Sequence, residues 1–252
     1  MSEDARNTIA RLSSEFRWER GSPQFWLLVD PDRVDDPEKV ACAAQSAGVD
    51  LILVGSSLLV EHPVDEVISR IRRASSLPVV IFPGGGGQVA SNADAILFLV
   101  FLSSRNPRWL VEEQVLAAHK VRRSNLAVIP TAYLLIESGG MTSVEFFSNS
   151  LPIPRTKPDI AVAHALAAGF MGMRAVFLEA GSGAVNPVPV EMVKSVAEGT
   201  DLFLIVGGGI RSPQQAAERA RWADAVVVGN FFEGEQNLAL LGEFVDAVHS
   251  AR

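Results

Sequence analysis

The chain has 252 residues, 48% of them hydrophobic, with a formal net charge of −7 and a single cysteine. This length buries a large core and suits one α/β barrel or two smaller domains. The acidic balance, with no long Lys/Arg cluster, argues against nucleic acid as the main partner. Cys42 has no disulfide partner, which fits a reducing cytoplasm. Residues 1–20 carry no apolar signal region and no segment reaches the ~18 apolar residues that span a bilayer, so the protein is expected to be soluble, touching a membrane at most peripherally.

Residues 2–20 read as an amphipathic lead-in helix with Ile9, Leu12, Phe16 and Trp18 on one stripe. The run 25–29 is continuously apolar and stops at Asp30-Pro31-Asp32-Arg33, the pattern of a strand buried on both faces. Helical spacing over 37–47 closes at Gly48, and 50–54 gives the next strand before Gly55-Ser56-Ser57. The unit recurs as helix 64–74, strand 79–82, a loop of Pro83 and four glycines with a short helical piece, strand 94–100, helix 106–123 and strand 126–129. Over 137–158 the alternation lapses into Ser-Gly-Gly, a polar stretch around Phe146-Phe147, and prolines at 152, 154 and 158. A connection this long is more often a functional lid or an extra element than a linker. The pattern resumes with helix 159–168, strand 175–178, helix 189–197, strand 202–206, helix 213–221, strand 225–228 and a closing helix 238–248.

Strict alternation of eight apolar strands with helices predicts a single (β/α)8 TIM barrel over 1–252, parallel and closed, with one irregular segment at 137–158. An open doubly wound sheet would want a glycine fingerprint after the first strand, where this chain has Asp-Pro-Asp.

In a barrel the residues just past each strand share one mouth. Two strands run into glycine there, at Val206-Gly207-Gly208-Gly209 and Val228-Gly229-Asn230, and each hands over to a helix. Unencumbered backbone N–H groups converging in this way hold phosphate, so the substrate is expected to be a phosphate ester. The same mouth receives Asp30 and Asp32, Ser56 and Ser57, Thr131 and Tyr133, and Glu179 before Gly181-Ser182-Gly183. Asp30 offers a hard oxygen ligand for Mg²⁺ shared with phosphates, the alternative being that either aspartate caps a helix or starts a turn. Glu179 is a candidate general base, or else a hydrogen-bonding partner of a neighbouring loop. The four histidines lie on helices or their flanks without metal-ligand spacing. The chain has no nucleophile elbow, Walker lysine or dinucleotide fingerprint.

Several stretches together resemble the geranylgeranylglyceryl phosphate synthase family, which includes bacterial heptaprenylglyceryl phosphate synthases. They are Leu-Val-Asp-Pro-Asp-Arg at 28–33, Val-Gly-Ser-Ser at 54–57, Ile-Pro-Thr-Ala-Tyr at 129–133, Pro-Ile-Pro-Arg-Thr-Lys-Pro at 152–158, Leu-Glu-Ala-Gly-Ser-Gly-Ala at 178–184, Val-Gly-Gly-Gly-Ile-Arg-Ser-Pro at 206–213 and Val-Gly-Asn at 228–230. The resemblance implies an ether bond formed between sn-glycerol 1-phosphate and a polyprenyl diphosphate, with Mg²⁺ and loss of diphosphate. It implies that Asp30 and Ser57 hold the metal. It further implies that Phe177, Glu179, Ala180, Gly181, Ser182 and Gly183, with Gly207, Gly208, Gly209, Gly229 and Asn230, surround the glycerol phosphate. A homo-oligomer, dimeric or hexameric, is implied as well.

Arg155 and Lys157 are candidates to meet the diphosphate if the irregular segment closes over the mouth, or else are solvated surface charges. Residues 96–102, Phe146, Phe147 and Trp109 are candidates to line a groove for the prenyl tail, and serve equally well as core; a C20 donor is favoured over a longer heptaprenyl one. Two positions depart from the family: Phe177 stands where tyrosine is usual, and Arg33 where lysine is common. The competing readings are a sugar-phosphate isomerase or aldolase, which would want an Asp pair or a strand-ending lysine that no predicted strand supplies, and a non-catalytic phosphometabolite-binding barrel.

Overall fold

Eight apolar runs, of which only one carries a charged residue, become the strands of a closed parallel barrel in a computed structural model that describes residues 20–251. The expected lead-in helix lies outside the described residues. The strands are β1 (Gln24–Val29), β2 (Leu51–Val54), β3 (Val79–Ile81), β4 (Ala95–Val100), β5 (Ala127–Leu135), β6 (Ala175–Glu179), β7 (Phe203–Gly207) and β8 (Ala225–Val228). Each pairs with its neighbour in sequence, and β8 closes on β1 with Phe25 opposite Val226. The helices are α1 (Pro37–Ala47), α2 (Val64–Ala74), α3 (Glu113–Ser124), α4 (Ser143–Ser148), α5 (Pro158–Phe170), α6 (Val190–Gly199), α7 (Pro213–Ala220) and α8 (Leu241–His249). None is long and apolar enough to cross a membrane.

Local chemistry sets these boundaries. Asp36 accepts the Lys39 N–H at the start of α1, and Gly48 ends it in the left-handed region at φ 79°. Side chains alternate between two cores. Trp26, Leu53, Leu97, Tyr133, Phe177 and Ile205 fill the barrel, while Phe25, Ile52, Ile68, Val176, Leu204 and Phe244 pack the sheet against the outer helices. Burying each such side chain contributes about 1.5–3 kcal/mol.

The structure corrects the sequence reading in three places. First, β5 extends through Pro130 to Leu135, because the proline carbonyl still accepts the Arg174 N–H and neighbouring strands continue the ladder on both sides. Thr131 and Tyr133 therefore lie inside the barrel wall and not past its end. Second, the expected helical piece between β3 and β4 is a succession of turns; four glycines make a helix there costly. Third, helix 106–123 begins with a π turn, Arg108–Glu112, before α3. The irregular segment is an added element, tied down where Ile136 pairs with Ile153 and carrying α4.

The two ends of the barrel use their carboxylates differently. At the N-terminal end, aspartates just ahead of three strands each accept the N–H of a neighbouring strand: Asp50 from Phe25 at 2.8 Å, Asp94 from Val79 at 2.9 Å and Asp224 from Leu204 at 3.0 Å. Asp94 also pairs with Arg72. Asp94→Ala leaves the Val79 N–H unmet and is expected to cost about 2 kcal/mol in denaturant unfolding while leaving the opposite end of the barrel unchanged.

Candidate active site at the barrel mouth

At the C-terminal end the loops after β6, β7 and β8 meet. Gly181, Gly183, Gly208 and Gly209 all have positive φ, at 97°, 76°, 81° and 71°. This is backbone that other residues adopt only with strain, and it turns successive N–H groups toward the mouth. Asn230, just past β8, accepts from the Gly183 N–H and the Ser182 hydroxyl, at 3.1 and 3.2 Å. Its own amide group donates to Glu233 at 2.6 Å, which orients the asparagine. Burial raises the Glu233 pKa, with the Asn230 bond and Arg33 acting the other way.

Glu179 ends β6 pointing into the barrel and is buried. Its carboxylate accepts one hydrogen bond, 2.7 Å from the Gly181 N–H. Loss of water outweighs that bond and pushes its pKa up to about 7. Gly207 and Gly208 make this placement possible: a Cβ at 207 would stand 2.9 Å from one carboxylate oxygen, and one at 208 would collide with the other.

Just past β1, the strand next to β8, Asp30 is half-buried and its pKa is raised by burial, opposed by the nearby Ser56 and by the Asp32 N–H, 3.1 Å from its carboxylate. Asp32 is committed elsewhere. It accepts the N–H groups of Val60, Glu61 and His62 at 2.6, 3.2 and 2.8 Å, which, against burial, hold its pKa below the usual range. It fastens the loop after β2 and is not a free ligand. Ser57 is exposed at the cavity edge, while the Ser56 hydroxyl donates to the Leu58 carbonyl at 2.9 Å.

One cavity of about 690 Å³ joins these parts. Its lining includes Asp30, Ser57, Glu179, Gly181, Ser182, Gly183, Gly208, Gly209, Gly229 and Asn230. From there it passes Leu97, Tyr133 and Trp109, which pack with the barrel interior, to Ile96 and Phe98, which lie where a helix after β3 would have covered the sheet. The turns that replace the helix thus leave an apolar wing open. Phe147 and Val144 of α4 border it.

Other predicted site residues lie apart from the lining. Phe177 is fully buried, stacked on Phe82 at 5.1 Å and packed under Gly207; Ala180 and Gly207 also sit beneath the surface. Arg155 and Lys157 do not line the cavity. The Arg155 guanidinium instead donates to the Glu137 carbonyl at 3.0 Å and the Pro187 carbonyl at 3.4 Å, holding the irregular segment against the loop after β6. Lys157 caps α5. The cations among the described lining residues are Arg33 and Arg211. Arg211 was missed because its chemistry depends on folding: its guanidinium reaches the Ala184 carbonyl at 2.9 Å, bridging two strand loops. The only sequence signal is a cation two residues past the glycine run.

A (β/α)8 barrel that sets a glycine-loop anion cradle beside a buried carboxylate titrating near neutrality is the frame of an enzyme acting on phosphate esters. The chain belongs to the PcrB family, whose profile it matches over residues 16–248. It is 46% identical to the geranylgeranylglyceryl phosphate synthase of Korarchaeum cryptofilum over 89% of this chain and 93% of that one. It is 42% identical to the synthase of Chitinophaga pinensis over 92% of each. The crystal structure of (S)-3-O-geranylgeranylglyceryl phosphate synthase from Thermoplasma acidophilum in complex with sn-glycerol-1-phosphate superposes with a TM-score of 0.88 at 34% identity, covering 94% of this chain and 98% of that one. The tryptophan synthase alpha subunit of Legionella pneumophila, at 14% identity and TM-score 0.57, shares the fold alone.

The raised Glu179 pKa sets a pH dependence of stability. Below about 4.5 the carboxyl is protonated in folded and unfolded chains alike; between there and about 7 the folded chain keeps a proton that the unfolded chain has lost. Stability attributable to this group therefore falls as pH rises through that window, by about 3 kcal/mol in total. Glu179→Gln is expected to remove that slope when unfolding free energies are compared at about pH 5 and about pH 8.

Proposed function

We propose that this chain is a geranylgeranylglyceryl phosphate synthase, joining the free primary hydroxyl of sn-glycerol 1-phosphate to C1 of a polyprenyl diphosphate. The observation that carries this reading is the single continuous cavity, with the Gly208–Gly229 cradle and Glu179 at one end, Asp30 at the end of the strand next to that of Gly229 and an apolar wing beyond. A small phosphate ester fits the first end, and a prenyl chain fits the last.

The glycine N–H groups would fix the phosphate, leaving the glycerol hydroxyls over Glu179. As the hydroxyl oxygen bonds to C1 and the bond from C1 to the diphosphate oxygen breaks, Glu179 takes the hydroxyl proton; a carboxylate titrating near 7 is matched to that task. Burial of the reacting carbon beside Leu97, which faces the barrel interior, would keep water from competing as acceptor.

Mg²⁺ fits beside Asp30. The Asp30 carboxylate faces the cavity with its charge poorly solvated, and no group of three metal-ligating acids or histidines exists among the described residues. Magnesium is commonly held by one or two carboxylates plus substrate phosphates, so Asp30 with the Ser57 hydroxyl would suffice. When bound, it neutralises charge on the departing diphosphate. Arg33 and Arg211, and not Arg155 or Lys157, are the cations poised for the substrate phosphates. The exposed apolar residues Leu166, Phe170 and Met171 along and just past α5 are consistent with a homo-oligomer.

Purified protein with Mg²⁺, labelled sn-glycerol 1-phosphate and prenyl diphosphates of several lengths should carry label into organic extracts. Glu179→Gln is expected to slow transfer by about 10² to 10⁴, and Asp30→Asn to abolish the dependence on added Mg²⁺ along with most of the rate. Label that stays aqueous with every donor would overturn the reading.

A further inference from the structure

Tyr133 is the only tyrosine in the chain. Its ring is wedged among Phe101, Phe177 and Phe82, with centroids at 4.8, 5.9 and 6.2 Å. The residue is 6% exposed, and its hydroxyl makes no hydrogen bond to any described residue. A buried phenol normally finds a partner, because leaving the group unmet is costly. Here the residue lines the cavity, so the unmet group belongs to the space a ligand fills. Its register partner on β6, Phe177, is fully buried and has no hydroxyl to offer. The aromatic wall near Glu179 therefore presents one polar atom, and it comes from β5.

The acceptor's stereochemistry gives that atom a task. Glycerol phosphate anchored by its phosphate and by its free primary hydroxyl has mirror images that differ in exchanging hydrogen and hydroxyl at C2. Two anchors alone distinguish them poorly, and a third polar contact separates them. The glycine loops after β6, β7 and β8 supply the first anchor and Glu179 the second. We propose that the Tyr133 hydroxyl is the third, bonding the C2 hydroxyl of the acceptor and so selecting one enantiomer of glycerol phosphate. A phenol both donates and accepts, so it meets that hydroxyl whichever way its proton points. This inference rests on the function proposed above.

Tyr133→Phe removes one oxygen and keeps the ring packing. With the full-length protein, the ratio of kcat/KM for sn-glycerol 1-phosphate over sn-glycerol 3-phosphate is expected to fall about tenfold, with KM for the prenyl diphosphate unchanged. A purely structural role would lower both acceptors alike. Binding is read separately: tyrosine labelled with ¹³C at Cζ gives a single resonance, which sn-glycerol 1-phosphate alone should shift and prenyl diphosphate alone should not. An unchanged enantiomer ratio in the variant, an equal loss for both acceptors, or a resonance unmoved by saturating sn-glycerol 1-phosphate overturns the inference. If wild type transfers to neither enantiomer, the proposed reaction fails, while the resonance still decides whether Tyr133 meets the acceptor.

Discussion

Glu179 occupies the base of the barrel mouth because two consecutive residues on the next strand and its loop have no side chains. Any Cβ at Gly207 or Gly208 would press on a carboxylate oxygen. With the glycines in place, the group is shut away from water with one N–H for company, and its proton affinity rises toward neutrality. The same missing side chains leave the loop N–H groups open to the cavity. The proposed base and anion cradle thus arise from one steric vacancy, which is why they are adjacent.

Close backbone approach also shapes the opposite side of the mouth. A Cβ at Gly55 would strike the Phe82 carbonyl, and one at Gly84 the Ser56 carbonyl, so the loops after β2 and β3 cross in contact. Gln88 ties them, accepting from the Gly84 N–H at 3.0 Å and donating to the Ser56 carbonyl at 2.8 Å. This knot fills the connection that would otherwise carry a helix, and the bare sheet beside it becomes the apolar wing. A loop built for tight crossing thereby leaves the room that the proposed hydrocarbon tail would fill. Carboxylates at the barrel's other end are spent on strand N–H groups, whereas Asp30 and Glu179 at the mouth are left undersatisfied. That division separates stability from chemistry.

Much of this was legible in the chain, for reasons tied to particular residues. Strand–glycine junctions at 207 and 229 are legible because the pattern is local, and Glu179 and Asp30 stand out because each lies at the end of a buried apolar run. The misplacements have a common cause. Arg155 looked like a diphosphate ligand because it is charged and follows an irregular segment, yet its bonds run to carbonyls 18 and 32 residues away. Asp32 looked like a partner for Asp30, yet it is captured by N–H groups of a loop 28 to 30 residues further on. Tyr133 reads as a mouth residue past a strand end at Pro130, whereas flanking strands carry the ladder past the proline and set it inside the barrel wall.

The order of residues by itself determined the barrel, the strand ends and therefore which residue types reach the mouth, because alternation and glycine placement act over a few neighbouring positions. Only the tertiary structure decided which of those groups share the cavity and which are consumed as struts. A side chain's charge state and its free valences depend on partners brought from distant strands, and on how much water the packing leaves beside it.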